Sequence, residues 1–232
     1  MCLGPEVDLI AGTAITVIAA DALRHNRAGR TLPLALLPAV FAVHTFTSAF
    51  VWWGERGVVP AAVGDAAVSF FMFIAFVFLP IYVPFSVMLL EPRGWRRDAL
   101  LALTGAGVFS GADYMIGLVD GRGDAVACNL YIDYTIDGVS SVSGVLYLIA
   151  TCGAFLLSGQ RPLFIWGIVN AAGVAVLSVM AQRGLPSLWC FLAACTSFFV
   201  AWFLRQVESA RAAGGPWPWE VGVQPKTTTG HT

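Results

Sequence analysis

Apolar residues fill this chain in seven long stretches, separated by short segments that carry charge, proline or glycine. A helix needs roughly 20 apolar residues to cross the hydrocarbon core of a bilayer. Each stretch approaches or exceeds that length and is almost free of charge, which predicts membrane-spanning helices. The predicted spans are 6–24, 32–54, 64–90, 98–119, 138–158, 162–182 and 186–207. The expected fold class is therefore all-α, a polytopic membrane protein with a bundle of seven transmembrane helices.

The overall composition supports a membrane location. Hydrophobic residues make up 58% of the 232 residues and charged residues only 12%, with a mean hydropathy of +0.77. A soluble domain of this size needs a polar surface that such a composition does not supply. No basic cluster is interleaved with aromatic residues as in a base-binding surface, so we expect no nucleic-acid partner. The expected surroundings are the lipid bilayer of the cell membrane, crossed several times.

The basic residues predict the orientation of the bundle. Ten of the thirteen follow the first, third, fifth or seventh span, and only three lie on the opposite side. Because cytoplasmic loops are enriched in Lys and Arg, the N-terminus is expected outside and the C-terminus in the cytoplasm. Residues 1–211 form the expected transmembrane domain. The tail, residues 212–232, is rich in Gly, Pro and Thr and is predicted to be disordered.

Carboxylates gather on the expected outer side, which holds nine of the fourteen acidic residues. Asp113 stands out because it lies about one and a half turns before the fourth span ends. Ionisable groups inside a span are costly and usually face the bundle interior or a water-filled cavity. Ser110, three residues earlier on the same face, is the expected hydrogen-bond partner of this carboxyl group. The alternative is an interfacial aspartate that reaches water.

The second span carries a polar face. His44, Ser48 and Glu55 lie on one side of the helix, since about eleven residues make three turns. His44 is the only histidine in a span, and such a residue is more often hydrogen-bonded core than ligand. Glu55 is either an interfacial acid or the outer edge of a pocket. Trp52 and Trp53 fit either a binding site or the aromatic belt of a membrane protein.

Three further features bear on the interior of the bundle. The outer loop before the fifth span holds Asp133 and Asp137, which in a helix would face the same way. Repulsion between two carboxylates that close raises the pKa of at least one of them, so that one carboxyl group stays protonated near neutral pH. A solvated acidic loop is the alternative. Pro80 and Pro84 predict a kink in the third helix that opens a cavity. Asn170, in the sixth span, is predicted to hydrogen-bond to another helix.

Several chemistries are excluded by what the sequence lacks. Its only lysine is Lys226, in the tail, so a retinal Schiff base inside the bundle is ruled out. There is no aspartate-rich pair for a magnesium-bound diphosphate, no HExxH, no zinc-like Cys/His spacing and no GxSxG. We therefore expect neither a metal nor an organic cofactor.

Three segments carry a family resemblance. They are MCLGPEVDLIAG, LALLPAVFAVHTFTSAFVWWG and the long run from YLIATCGAFLLSGQ to SFFVAWFLR. Together they resemble an actinobacterial family of seven-helix membrane proteins known only as a domain of unknown function, most specifically at His44 and at Trp189–Cys190. Members commonly carry His-Gln-x-x-Glu in the second span, where this chain has His44, Thr45 and Ser48. They also tend to be rich in His and Arg where this chain has residues 129–133.

The chain also resembles, in size, span count and apolar character, the small membrane-bound terpene cyclases of drimentine-type indole–diketopiperazine pathways. That resemblance implies an acid that protonates the distal alkene or epoxide of a farnesyl chain, followed by ring closure without loss of diphosphate. The implied partner is a prenylated hydrophobic small molecule. Such chemistry needs a neutral carboxyl group in a dry cavity and aromatic faces that stabilise carbocations.

The expected site combines the polar residues above with nearby aromatic rings. Asp113 is the first candidate for the proton donor, with Asp133 or Asp137 as its partner. Glu55 is a second donor, and His44 orients the donor or accepts the final proton. Expected substrate contacts are Ser48, Trp52, Trp53, Phe109, Tyr114, Tyr134 and Trp189. The rival interpretations are a small proton, cation or solute transporter that uses the same acids, and a structural or sensory membrane protein.

Overall fold

The computed structural model of the protein describes residues 4–128 and 131–220. Seven helices run through these residues, and a two-stranded hairpin connects the fourth helix to the fifth. The helices are α1 (Pro5–Arg24), α2 (Leu32–Glu55), α3 (Ala61–Met88), α4 (Trp95–Val119), α5 (Ser141–Leu157), α6 (Arg161–Met180) and α7 (Gln182–Ala212). The antiparallel strands are β1 (Gly123–Ala127) and β2 (Ile132–Ile136).

Five of the helices are long and apolar enough to cross a membrane: α2, α3, α4, α6 and α7. α5 is apolar but has 17 residues, and α1 carries charged residues in its first and last turns. The prediction of a helical protein whose helices suit a membrane is therefore confirmed. The charged residues of these five helices lie within about two turns of a helix end, and the middle of each helix is uncharged. This distribution fits the cost of burying charge in hydrocarbon.

The loop before α5 is a hairpin and not a helix. Ile132 and Tyr134 are buried on one face of β2, and Asp133 points to the opposite face because side chains alternate along a strand. Asp137 follows the strand and is exposed. The helical arrangement considered for Asp133 and Asp137 is therefore wrong. The period-two pattern in IDYTI, with β-branched and aromatic residues, is the sequence signal for a strand.

The middle of α3 leaves the α-helical pattern. Phe73–Phe78 form a π-helical turn between two α-helical parts. Pro80 follows at once; it lacks a backbone N–H, and its ring crowds the carbonyl four residues earlier, so the α pattern does not continue unchanged. On α4, Gly107 lies so close that a Cβ atom there would be 1.9 Å from the Pro80 carbonyl oxygen. The distortion predicted at Pro80 is thus a π-helical turn in close contact with α4.

The segment after α7 folds back onto the bundle. The Trp217 and Trp219 rings stack with centroids 5.0 Å apart. The guanidinium of Arg211 lies over Trp217 at 4.5 Å, and that of Arg30 lies over Trp219 at 4.8 Å. Residues 213–220 of the predicted tail therefore make aromatic contacts with Arg30 and Arg211. Residues 221–232 of that predicted tail lie outside the described part of the chain.

Candidate functional site

A polar cluster lies inside the bundle, where α1, α2 and α7 meet. Asp8 on α1 has 0% of its surface exposed, and His44 on α2 has 2%. Ser48 lies one turn after His44, and Ser187 and Cys190 come from α7; all three are buried. These five side chains line one cavity of about 10 Å³, which is roughly the space of a single water molecule. An acid, an imidazole and two hydroxyl groups thus meet in a site that bulk solvent does not reach.

Close packing of α1 on α2 explains why Asp8 is buried. Pro5 begins α1, since its missing N–H costs nothing in the first turn. Gly12, one turn after Asp8, is in contact with the Phe46 ring: a Cβ atom on Gly12 would lie 2.8 Å from it. The small residue lets the two helices approach, and Asp8 on the same face is carried into the interior. The local sequence and the helix contact together place this carboxyl group.

His44 is held by a stack of rings that runs from the bundle to the hairpin. Its imidazole stacks on Phe71 of α3 with centroids 3.9 Å apart, and Phe71 stacks on Tyr134 of β2 at 4.1 Å. Among the described residues, neither ring nitrogen of His44 has a hydrogen-bond partner. A purely structural buried histidine normally has its nitrogens hydrogen-bonded. A ligand that reaches this cluster would therefore displace no described hydrogen bond from the nitrogens of His44.

An apolar cavity adjoins the polar cluster, and Cys190 is part of the wall of both. Its volume is about 30 Å³. Five aromatic rings line it: Phe41, Tyr147, Phe155, Trp166 and Trp189. Asn170 holds the Trp189 ring, because its Oδ1 accepts a hydrogen bond from the Trp189 Nε1 at 3.1 Å, while its Nδ2 donates to the Trp166 backbone carbonyl at 3.0 Å. The predicted hydrogen bond from Asn170 to another helix is confirmed.

Asp113 lies away from both cavities and connects α4 to the start of α5. It is partly exposed, and its Oδ2 accepts hydrogen bonds from Ser143 Oγ at 2.6 Å and from the Ser140 backbone N–H at 3.0 Å. Ser110 donates instead to the Ser143 carbonyl at 2.9 Å. The predicted Ser110–Asp113 hydrogen bond is therefore wrong. Asp113 acts as an acceptor for the first turn of α5, where free backbone donors need one.

The other predicted acids lie around the hairpin. Glu55 is exposed, and its Oε2 accepts a hydrogen bond from the Ala127 backbone N–H at 3.2 Å. Asp133 borders a surface groove together with Arg183, and Asp137 is exposed. In the described ranges, neither interior cavity includes Glu55, Asp113, Asp133 or Asp137 in its wall. Of the predicted catalytic residues, the structure brings only His44 into the polar cluster.

The predicted aromatic contacts are spread over different surroundings. Trp189 lines the apolar cavity, and Trp52 is buried, with the Arg56 guanidinium over its ring at 5.2 Å. Trp53 meets Phe50 edge-on, and Tyr114 stacks on Phe76. Phe109 is 60% exposed on the outside of the bundle, as expected of a side chain that faces lipid. Ser48 and Tyr134 lie in the polar cluster and in the ring stack that supports it.

Asp8 is the site residue that reasoning from the sequence missed, because its position near the start of a span placed it among the outer acids. A signal was present in the spacing. Gly12, Ala19 and Ala22 recur with Asp8 at helical intervals and form the buried face of α1. Small residues at such intervals mark a face that packs against another helix. Asp8, which lies on the same face of α1 as these small residues, was therefore the acid best placed to be buried.

Comparison with known proteins identifies a family and no activity. In the described residues, no group of three or more His, Cys, Asp or Glu side chains is arranged to hold a metal ion. No curated protein and no solved structure matches the chain. The profile of a family of unknown function matches residues 1–214, nearly the whole chain. The expected membership of such a family is confirmed: the chain belongs to the Family of unknown function (DUF6629).

Proposed function

We propose that the protein is a seven-span membrane enzyme that cyclises the prenyl (farnesyl) chain of a hydrophobic small molecule, such as an indole diketopiperazine, by proton-initiated chemistry. In this proposal α1 and α5 cross the membrane together with α2, α3, α4, α6 and α7. At 1.5 Å per residue, their 20 and 17 residues span roughly 30 and 25 Å, close to the thickness of the hydrocarbon core. The N-terminus then lies outside and the C-terminus in the cytoplasm, in accord with the distribution of arginines.

The observation that supports the proposal best is the buried Asp8 beside His44, next to a cavity lined by aromatic rings. Protonation of an alkene needs a carboxylic acid in a site without bulk water. The carboxyl group of Asp8 is buried in such a site. Asp113, the first candidate from the sequence, is partly exposed, and its carboxylate already accepts two hydrogen bonds that position the start of α5. We therefore assign the donor role to Asp8.

The proposed chemistry needs no cofactor. Transfer of the Asp8 proton breaks the π bond of the distal alkene and forms a C–H bond at its less substituted carbon. This step leaves a tertiary carbocation at the neighbouring carbon and an ionised Asp8, which His44 reprotonates after the last step. The next double bonds of the chain attack in turn and form C–C bonds, so that the positive charge moves along the new rings. Loss of a proton from a neighbouring carbon to His44 restores an alkene, and the product is an isomer of the substrate. The aromatic rings of the cavity stabilise the cations through their negative faces.

Substrate binding requires the apolar cavity to widen. At about 30 Å³ it is smaller than a farnesyl chain and holds no more than one or two water molecules. Leu79 and Val83 of α3 line it; Leu79 directly follows the π-helical turn Phe73–Phe78, and Val83 lies one helical turn further on. Such turns occur often at functional sites, because the backbone there is less regularly bonded. We propose that α3 moves away from the cavity when a prenyl chain enters from the bilayer.

A turnover assay tests the assignment. Membranes containing the protein are incubated with farnesylated indole diketopiperazine, and ring-closed isomers are identified by mass spectrometry and NMR. Because a general acid contributes about 10²- to 10⁴-fold, Asp8→Asn is expected to lose at least 100-fold in rate. The exposed Asp124→Asn variant serves as the control and should keep full activity. Loss in Asp113→Asn together with full activity in Asp8→Asn would return the donor role to Asp113.

A small transporter remains the second candidate, because a buried acid next to a histidine also suits a proton path through a membrane. Proteoliposomes loaded with a pH-sensitive dye distinguish the two functions. The enzyme proposal expects no proton flux without an organic substrate. Flux that disappears in Asp8→Asn, together with no ring-closed product, would favour transport.

A further inference from the structure

A cleft rich in arginine opens at the end of the bundle opposite the hairpin. Its volume is about 620 Å³. Arg30 precedes α2, Arg93 precedes α4, and Arg97 lies in the first turn of α4, so two separate segments of the chain supply the three guanidinium groups. Leu89, Trp219 and Glu220 complete the wall.

The three guanidinium groups lie close enough to act on one another. Burial lowers the pKa of Arg30, and the positive charges of Arg97 and Arg93 lower it further. None of the ion pairs formed within residues 4–128 and 131–220 includes these three arginines. Glu220 accepts a hydrogen bond from the Trp217 backbone N–H at 2.9 Å. The cleft thus concentrates positive charge that no carboxylate in a described ion pair balances.

The surroundings of the cleft suit a phosphate group at a membrane surface. Arginine presents paired N–H donors that match phosphate oxygens. The N-termini of α2 and α4 lie at this end of the bundle, and their helix dipoles add positive potential. Trp95, the first residue of α4, is 68% exposed, as is common where a helix enters the headgroup region. Leu89 gives the cleft an apolar wall beside the charged one.

We propose that this cleft binds the phosphate of an anionic membrane phospholipid. The bound phosphate lies among Arg30, Arg93 and Arg97, and the acyl chains extend along the apolar helices. This inference does not depend on the proposed cyclase activity, since it concerns the other end of the bundle.

Native mass spectrometry of the purified full-length protein tests the proposal, with phosphatidylglycerol and phosphatidylcholine titrated separately. The double variant Arg93→Gln/Arg97→Gln is expected to bind phosphatidylglycerol roughly 25-fold more weakly, since each basic residue contributes about fivefold near an anionic surface. The matched control, Arg24→Gln/Arg161→Gln, removes two arginines that lie outside the cleft on the same side. The control should bind within about twofold of the unaltered protein. An equal loss in both variants would mean a general surface-charge effect and would overturn the site.

Two further arms make the result decisive even if the double variant folds poorly. Glu220→Gln removes a negative charge from the wall but keeps an oxygen for the Trp217 N–H, so it should strengthen phosphatidylglycerol binding about fivefold. Unchanged affinity in this variant would exclude a phosphate in the cleft. Inorganic phosphate is titrated alone; binding as tight as that of the lipid would show a site for a soluble anion and overturn the lipid assignment.

Discussion

At the scale of single residues, the buried His44 lowers the stability of the folded protein. A buried polar group without a hydrogen bond loses about 1–3 kcal/mol of stability. Neither ring nitrogen of His44 has a hydrogen-bond partner among the described residues. The ring itself stacks on Phe71. Groups that cost stability in this way are often found at functional sites. A phenylalanine would keep the stack and remove the cost.

His44→Phe is therefore expected to leave the protein at least as stable as before and to abolish turnover. Thermal unfolding in detergent and the cyclisation assay measure the two effects. The contrasting variant is His25→Phe, because His25 Nδ1 lies 2.7 Å from the Asp21 carbonyl and its Nε2 is 3.6 Å from Glu208. That variant should lose a little stability. A melting temperature for His44→Phe more than about 5 °C below that of the unaltered protein would mean that the ring nitrogens are bound in the native state.

Asp113, in contrast to His44, is a polar residue whose hydrogen bonds stabilise the fold. Asp113→Ala removes the acceptor for the Ser140 N–H and the Ser143 hydroxyl, so we expect a loss of about 1–2 kcal/mol in the free energy of unfolding. Asp124→Ala on the exposed β1 strand should change stability by less than about 0.5 kcal/mol. Equilibrium unfolding in detergent compares the two. Equal stability of the two variants would refute the capping role.

At the scale of elements, glycines decide how closely the helices approach. Gly54 of α2 and Gly64 of α3 lie opposite each other, and a Cβ atom on Gly54 would be 2.7 Å from the Gly64 Cα. Gly107 contacts the Pro80 carbonyl still more closely. Such contacts bring backbones together and replace side-chain packing, which is a common solution between membrane helices. They also hold the π-helical turn of α3 next to α4.

Two alanine variants on α4 test this contact. Gly107→Ala places a Cβ atom against backbone that has little room to move, and we expect a loss of about 3 kcal/mol or more. Gly105, two residues earlier, has no described atom of another residue within 4 Å of the place that a Cβ atom would take. Gly105→Ala should therefore be neutral or stabilise by up to about 1 kcal/mol. Melting temperatures in detergent are the measurement. Similar values for the two variants would contradict the close α3–α4 contact.

At the scale of the whole molecule, the two ends of the bundle differ in chemistry. The hairpin end holds Glu55, Asp133 and Asp137, and the opposite end holds the arginine cleft. The buried site of Asp8 and His44 lies at the start of α1, on the hairpin side of the bundle. The buried site at one end suits the proposed apolar substrate, and the arginine cleft at the other end suits the proposed lipid phosphate.

The proposed topology predicts the result of reporter fusions. Alkaline phosphatase inserted at residue 124 of the hairpin should be active, because that enzyme folds outside the cytoplasm. Green fluorescent protein fused after the C-terminus should fluoresce, since it folds in the cytoplasm. Active phosphatase together with a dark C-terminal fusion would mean an even number of spans after the hairpin, which contradicts the seven-span arrangement.

The sequence predicted a helical protein whose helices suit a membrane, from the length of its apolar runs, and a distortion at Pro80, from a proline without an N–H, because both depend on a local property. It also predicted that Asn170 hydrogen-bonds to a neighbouring helix. The strand character of residues 132–136 was present in their alternating pattern as well, but the pairing of Asp133 with Asp137 in a helix does not survive the hairpin.

The sequence by itself therefore determined which residues are helical and suited to lipid, since that property belongs to each segment alone. Only the tertiary structure decided which acid is buried. Asp8 and Asp113 look alike as acids near span ends, yet Gly12 lets α1 press against Phe46 and seals Asp8 inside, while Asp113 meets the free donors at the start of α5. The spacing of small residues marks the face of α1 that packs against another helix, but burial also depends on what that second helix presents, which the spacing does not contain.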